Sequence, residues 1–197
     1  AVARDVNTPS VLFKSAMAEL GRWLAYEAVR NWLPTLDTTI QTPLTQCSGT
    51  FVNPEVPLGI VPIMRAGLAL LDEVQKVMPL AAVYHLGLVR QEDSLQPTCY
   101  LNKLPDSFDE ETRIIIHEPM LATGGSIMMA MQEVTRRGIK PELIRIIAIV
   151  AAPPALRQLS ENYPGLEIYT AMIDEGLNSK GYIVPGLGDA GDRAFGT

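Results

Sequence analysis

Cysteine is scarce: Cys47 and Cys99 are the only two in a chain of 197 residues. They cannot build a disulfide framework, so free thiols in a reducing compartment are expected. Basic residues are in deficit, 16 against 22 acidic ones, which leaves a net charge of −6. Coating a nucleic acid needs a basic face, so no nucleic-acid partner is expected, although a local basic pocket for a small phosphate fits the balance. Long apolar runs are also missing. The best, Leu143 to Ala152, is too short for a bilayer and carries Arg145, so no membrane partner is expected. No repeat, low-complexity tract or linker divides the chain. It starts at Ala1 without a signal-like n-region, h-region and cleavage site, so a leader or a few residues are expected to precede it.

What is present suits a core. Apolar residues make up 47% and charged residues 19%, too apolar for disorder. A chain of this length buries roughly 70% of its unfolded surface, so one domain over 1–197 needs no disulfide or metal staple.

Apolar residues at Leu12, Phe13, Ala16, Met17, Leu20, Leu24, Ala28 and Leu33 recur with a helical period, predicting N-terminal helices within 1–34. Gly21 is a candidate break between two helices, and Pro34 ends the run. Residues 35–57 read as a loop with room for short edge strands. A repeating order of strand, loop and helix follows. Strands are predicted at Leu58–Ile63, Ala81–Val89, Arg113–Glu118, Leu143–Ala151 and Leu166–Met172. Helices are predicted up to Val77, from Ser126 to Arg137 with Gly138 as C-terminal cap, and over Pro153–Asn162. Residues 90–112 are polar, contain Pro97 and Pro105, and form a candidate flap. Apolar strands alternating with helices imply an α/β fold with a mainly parallel sheet covered on both faces.

The stretch Glu118-Pro119-Met120-Leu121-Ala122-Thr123-Gly124-Gly125-Ser126 joins a strand to a helix, at the carboxyl edge where open α/β sheets bind ligands. Ala122 to Ser126 can turn several backbone amides to one point, and the helix end adds positive charge, a site for a phosphate dianion. Glu118 would face whatever that phosphate carries. A glycine-rich helix cap without a ligand fits the same residues. No Lys precedes Ser126, so a Walker loop is unsupported, and Leu121 stands where a zincin motif needs its second His.

Arg65, in Pro62-Ile-Met-Arg-Ala-Gly67, and Arg90 both follow strands and could converge on the same sheet edge, where guanidinium forks suit pyrophosphate. Each is equally readable as a surface arginine. Gly186-Leu-Gly-Asp-Ala-Gly191 matches a dinucleotide fingerprint formally, but no βαβ unit follows it. Its exposed backbone groups suit a small planar heterocycle, or else it is a flexible tail. His85 reads as a core residue, and with His117 the only other histidine a nucleophilic triad is not supported. The methionines Met128, Met129 and Met131 read as core.

Taken together these residues resemble the uracil phosphoribosyltransferase family, from Ala18-Glu-Leu-Gly21 and Tyr26-Glu-Ala28 to the last residue. The similarity is sharpest in Val61–Gly67, Pro119–Ser126, Val150–Pro153 and Gly181–Arg193. Asn102-Lys-Leu-Pro105 and Pro153-Pro-Ala-Leu156 are similar to the cyanobacterial and plastid branch. The resemblance implies the type I phosphoribosyltransferase fold with a small hood. It also implies the reaction of uracil with 5-phosphoribosyl-1-pyrophosphate (PRPP) to give uridine monophosphate (UMP) and pyrophosphate, with Mg2+. By the same resemblance, residues 119–126 bind PRPP with Arg65, Arg90, Glu118 and Asp189. Ile183, Gly188, Asp189 and Ala190 read uracil within a base-recognition loop over 181–193. Glu118, Asp189 and Arg90 are the catalytic candidates. No protein metal cluster is implied; Mg2+ would travel with PRPP, near Asp189. A homodimer or larger homo-oligomer, a GTP effector, and a cytoplasmic or plastid-stromal setting are further implications. The alternative is a ligand-binding regulatory protein of the same fold with reduced or lost turnover. In one departure, Glu118 stands where the family usually has Asp, preceded by His117 instead of an apolar residue. Reduced activity relative to an Asp variant is therefore expected.

Overall fold

The strand predicted over Arg113–Glu118 shows why the sheet is buried on both sides. Ile114 and Ile116 enter one core and Ile115 enters the other. Each such side chain contributes about 1.5–3 kcal/mol when fully buried. The computed structural model describes residues 1–90 and 97–197. In chain order they form α1 (Ser10–Val29), β1 (Thr35–Gln41), β2 (Gln46–Val52), β3 (Leu58–Met64), α2 (Leu68–Val77), β4 (Ala82–Val83), β5 (Leu86–Arg90) and β6 (Pro97–Asn102). Then come β7 (Arg113–His117), β8 (Met120–Leu121), α3 (Gly125–Thr135), a 3-10 turn, β9 (Ile144–Ala151), α4 (Pro153–Asn162), β10 (Glu167–Ile173), β11 (Gly176–Leu177), β12 (Ile183–Val184) and α5 (Ala190–Phe195).

The main sheet runs β10-β9-β7-β3-β5-β6, with β4 beside β3 and β8 beside β9. Its pairs are parallel except β5–β6, which is antiparallel. Buried residues of α1, α2 and α5 pack on one face, and those of α3 and α4 on the other. The neighbours β3 and β7 therefore send their helices, α2 and α3, to opposite faces. That divergence opens a crevice at their carboxyl ends, the switch point of an open α/β sheet.

Three expectations need correction. Gly21 does not break α1, which is continuous; a Cβ at Gly21 would lie 3.0 Å from the Leu70 Cβ, so the residue lets α1 and α2 approach. Residues 35–52, read as a loop with room for short edge strands, form a regular antiparallel hairpin of two seven-residue strands, mostly exposed. The predicted strand over 81–89 is interrupted between β4 and β5, at Tyr84 and His85. Within the candidate flap, Pro97–Asn102 form the edge strand β6, and residues 91–96 lie outside the described residues. The helix expected over Pro153–Asn162 forms with those bounds, its prolines at the start, where no intrahelical donor is needed.

His117 ends β7 fully buried, and neither ring nitrogen has a well-oriented hydrogen-bond partner among the described residues. Burial pushes its pKa down to about 3, against a smaller opposing pull from the Gly67 backbone. The imidazole is thus neutral at neutral pH.

Candidate active site

Beyond β7 the chain is tied to β9 on both sides of its turn. The Glu118 N–H donates to the Ile147 carbonyl at 3.1 Å, and the Ala152 N–H donates to the Leu121 carbonyl at 2.8 Å. Gly124 is the N-cap of α3, with φ +97°. That left-handed backbone favours glycine. A Cβ there would also meet the Gln158 Oε1 at 2.8 Å. No side chain caps α3. Its first-turn amides lack intrahelical acceptors and point, with the positive end of the helix dipole, out of the turn. Among the described residues, a Cβ at Gly125 would find nothing nearer than the Pro97 ring at 3.6 Å, so they leave the space in front of the turn open.

A cavity of about 350 Å³ lies against this turn. From the turn it is lined by Glu118, Met120, Leu121, Ala122, Thr123, Gly124, Gly125 and Ser126, and from the C-terminal segment by Ile183, Gly188, Asp189 and Ala190. The two segments that carried the sequence argument therefore face one space. Pro119 does not line it; its carbonyl accepts from the Ile149 and Val150 amides at 2.9 and 3.1 Å, bracing the turn from behind.

A second cavity, about 380 Å³, adjoins the first and shares Glu118, Ser126 and Asp189 with it. Arg65 lines it, together with Tyr100 of β6. The Arg65 guanidinium donates to the Asp192 carboxylate at 2.8 Å and to the Thr197 hydroxyl at 3.1 Å. Arg90 is the last residue of β5, and its side chain lies outside what is described. Asp189 caps α5, its Oδ1 accepting from the Asp192 N–H at 2.9 Å. The alternative reading of this segment as a flexible tail gives way to a turn and helix whose Ala190 and Ala194 are buried. His85 is half-buried and lines neither cavity.

Sequence reading missed Lys180 and Tyr182 at the first cavity and Tyr100 at the second. Lys180 and Tyr182 flank Gly181, so the edge of the 181–193 motif was a usable signal. Tyr100 gave none, because its strand was read as flap. No group of three or more metal-ligating side chains occurs among the described residues. Glu118 and Asp189 nevertheless bring two hard carboxylates to both cavities, a donor set that fits Mg2+ bound mainly through substrate oxygens.

Comparison with known proteins identifies the family. The profile of the uracil phosphoribosyltransferase family matches residues 1–197. Uracil phosphoribosyltransferase from Nostoc sp. is 64% identical over 197 residues, covering 100% of this chain and 91% of that protein. The Synechocystis sp. enzyme of that name is 59% identical over 196 residues, with the same coverages, and the Nicotiana tabacum one is 52% identical, covering 88% of that protein. The solved structure of AQ2163 protein from Aquifex aeolicus superposes with TM-score 0.88 at 35% identity, over 98% of this chain and 90% of that one. A purine phosphoribosyltransferase from Pyrococcus horikoshii shares the fold, with TM-score 0.55 at 14% identity over 82% of this chain and 85% of that one. A full-length profile match, high identity to cyanobacterial and plant relatives and a type I phosphoribosyltransferase fold leave one assignment: this chain is a member of the uracil phosphoribosyltransferase family.

Proposed function

We propose that the protein transfers the 5-phosphoribosyl group of PRPP to uracil, giving UMP and pyrophosphate. The observation that carries this reading is one cavity walled by an uncapped helix start, a carboxylate and a glycine-rich loop. The first-turn amides of α3, in residues 122–126, hold the 5′-phosphate dianion. Glu118 accepts from the ribose hydroxyls. Arg65, with Arg90, balances the charge that builds on departing pyrophosphate, and Tyr100 stands beside it. Ile183, Gly188, Asp189 and Ala190 read uracil through their backbone. Mg2+, held by PRPP oxygens with Glu118 or Asp189 at hand, would neutralise part of the pyrophosphate charge.

Displacement at the anomeric carbon passes through an oxocarbenium-like state and needs no covalent nucleophile. Positioning, anion stabilisation and exclusion of water supply the rate. That suits a site where the nearby histidine is buried and neutral.

The chain is read as one domain, acting as a homo-oligomer. The exposure of Leu12, Trp23 and Tyr26 along α1 supports an assembly. No helix among the described residues is long and apolar enough to cross a membrane. A cytoplasmic setting, or a plastid one, accords with the cyanobacterial and chloroplastic relatives.

The test is UMP formation with PRPP, Mg2+ and each free base in turn. Turnover with uracil alone is expected. Tight binding of PRPP and uracil without product would overturn the enzyme in favour of a binding protein.

A further inference from the structure

The loop between β12 and α5 has two sides. Gly188, Asp189 and Ala190 line the first cavity, whereas Gly186 and Leu187 are held from behind. Both peptide groups of Gly186 are engaged by one ion pair: its N–H donates to the Asp174 carboxylate at 2.9 Å, and its carbonyl accepts from Arg4 at 2.8 Å. Arg4 and Asp174 themselves pair through two bonds, of 2.6 and 3.0 Å. Asp174 is only 6% exposed, and its own N–H donates to the Ala151 carbonyl at the end of β9, at 2.8 Å. The chain of bonds thus runs from the sheet through Asp174 to the loop.

Gly186 has φ +60°, and a Cβ on it would lie 2.1 Å from the Ile183 carbonyl, so the loop doubles back tightly there. One residue on, the Leu187 carbonyl accepts from Arg193 at 2.7 Å, and Arg193 also donates to the carbonyls of Ala3 and Asp5, at 2.7 and 2.6 Å.

We propose that Arg4 and Asp174 are positioning residues for uracil: they fix the Gly186 peptide planes, and thereby the backbone of residues 188–190 that reads the base. The proposal rests on the base-site reading above. A buried ion pair is weak evidence of a stability device. Here both ions spend their bonds on a single loop residue, which is what recognition by main chain requires. Donors and acceptors on a backbone cannot choose a rotamer, so only the path of the chain aims them. Held geometry to within about 0.5 Å is what such a site needs. The Arg4 guanidinium holds the Asp174 carboxyl below its ordinary pKa, so the pair is charged at neutral pH.

The experiment measures KM for uracil and for PRPP separately in Arg4→Met, Asp174→Asn and Arg4→Lys. Gly188→Ala serves as a control in the loop itself, because the backbone there, at φ +78°, disfavours any side chain and must shift. Uracil KM is expected to rise about tenfold or more in the first two variants, since a shift of ~1 Å can cost up to ~100-fold. PRPP KM should stay within about twofold of wild type, because the α3 turn makes no contact with the pair. Arg4→Lys keeps the charge without the fork and should fall between. A uniform loss in both KM values, or no change in either, overturns the proposal. Should Arg4→Met fail to fold, Arg4→Lys and Asp174→Asn decide by the same split. If Gly188→Ala leaves uracil KM unchanged, the base-site reading itself is wrong and the proposal falls with it. If Gly188→Ala raises uracil KM while the Arg4 and Asp174 variants do not, the site stands and only the positioning role is lost.

Discussion

Glu118 and His117, adjacent at the tip of β7, face different problems. Glu118 carries one methylene more than the aspartate the family usually places here, and it lines both cavities. Glu118→Asp should raise kcat/KM, by up to ~100-fold if the carboxylate now sits ~1 Å off its best position. A steady-state assay that finds kcat/KM unchanged or lower would remove the argument. His117 is buried without a well-oriented partner. Leu in its place should stabilise the fold by about 1–3 kcal/mol, read as a higher urea midpoint. The gain should depend on pH in a definite direction. The folded-state pKa is near 3 and the ordinary value 6.5, so the unfolded chain takes up the proton first. Stability is therefore lost as pH falls from 6.5 toward 3, and the gap between wild type and His117→Leu should widen through that window. A constant gap would place the imidazole in a more polar setting. At this scale the phosphate turn was legible because its chemistry is local to Ala122–Ser126. Asp192, which holds Arg65, was not, because 127 residues separate the partners.

Among the elements, α3 bears most of the proposed donor site. Gly125→Ala puts a methyl into the open space before the turn, touching only Pro97 at 3.6 Å among the described residues. Melting without ligand should change little. The stabilisation by PRPP, about 2.7 kcal/mol at ~100 times its Kd in wild type, should shrink sharply in the variant. An equal PRPP-induced Tm shift in both would move the phosphate elsewhere. Element types were read well wherever period and punctuation agreed, as at Pro153–Asn162. The hairpin over 35–52 was not. Leu36, Ile40, Cys47 and Phe51 share one face, but most of its residues are exposed, so no buried run announced it. Pairing between β1 and β2, which no local pattern encodes, makes it a hairpin. Likewise β6 looked like flap because an edge strand buries little and is free to be polar.

For the whole molecule, the alternation of strand and helix announced the α/β architecture, and the position of the site followed from it. Strand order did not. Nothing in the sequence says that β7 returns to the far side of β3, yet that return creates the crevice. The two cores share one sheet: β3, β7 and β9 each send side chains into both. The chain should accordingly unfold as one unit, with coincident urea transitions by tryptophan fluorescence and far-UV circular dichroism. Two separated transitions would mean that the cores are independent.

The bonds from Arg4 and Arg193 have a bearing on synthesis. Arg4 is synthesised 182 positions before Gly186, its partner. At about 5–20 residues per second, the first segment waits roughly 10–40 s for its counterpart. In the last part of that interval, once residues 122–126 have been made, a nascent chain holds the residues of the phosphate turn but not the base loop, so competence for turnover waits for residues 181–193.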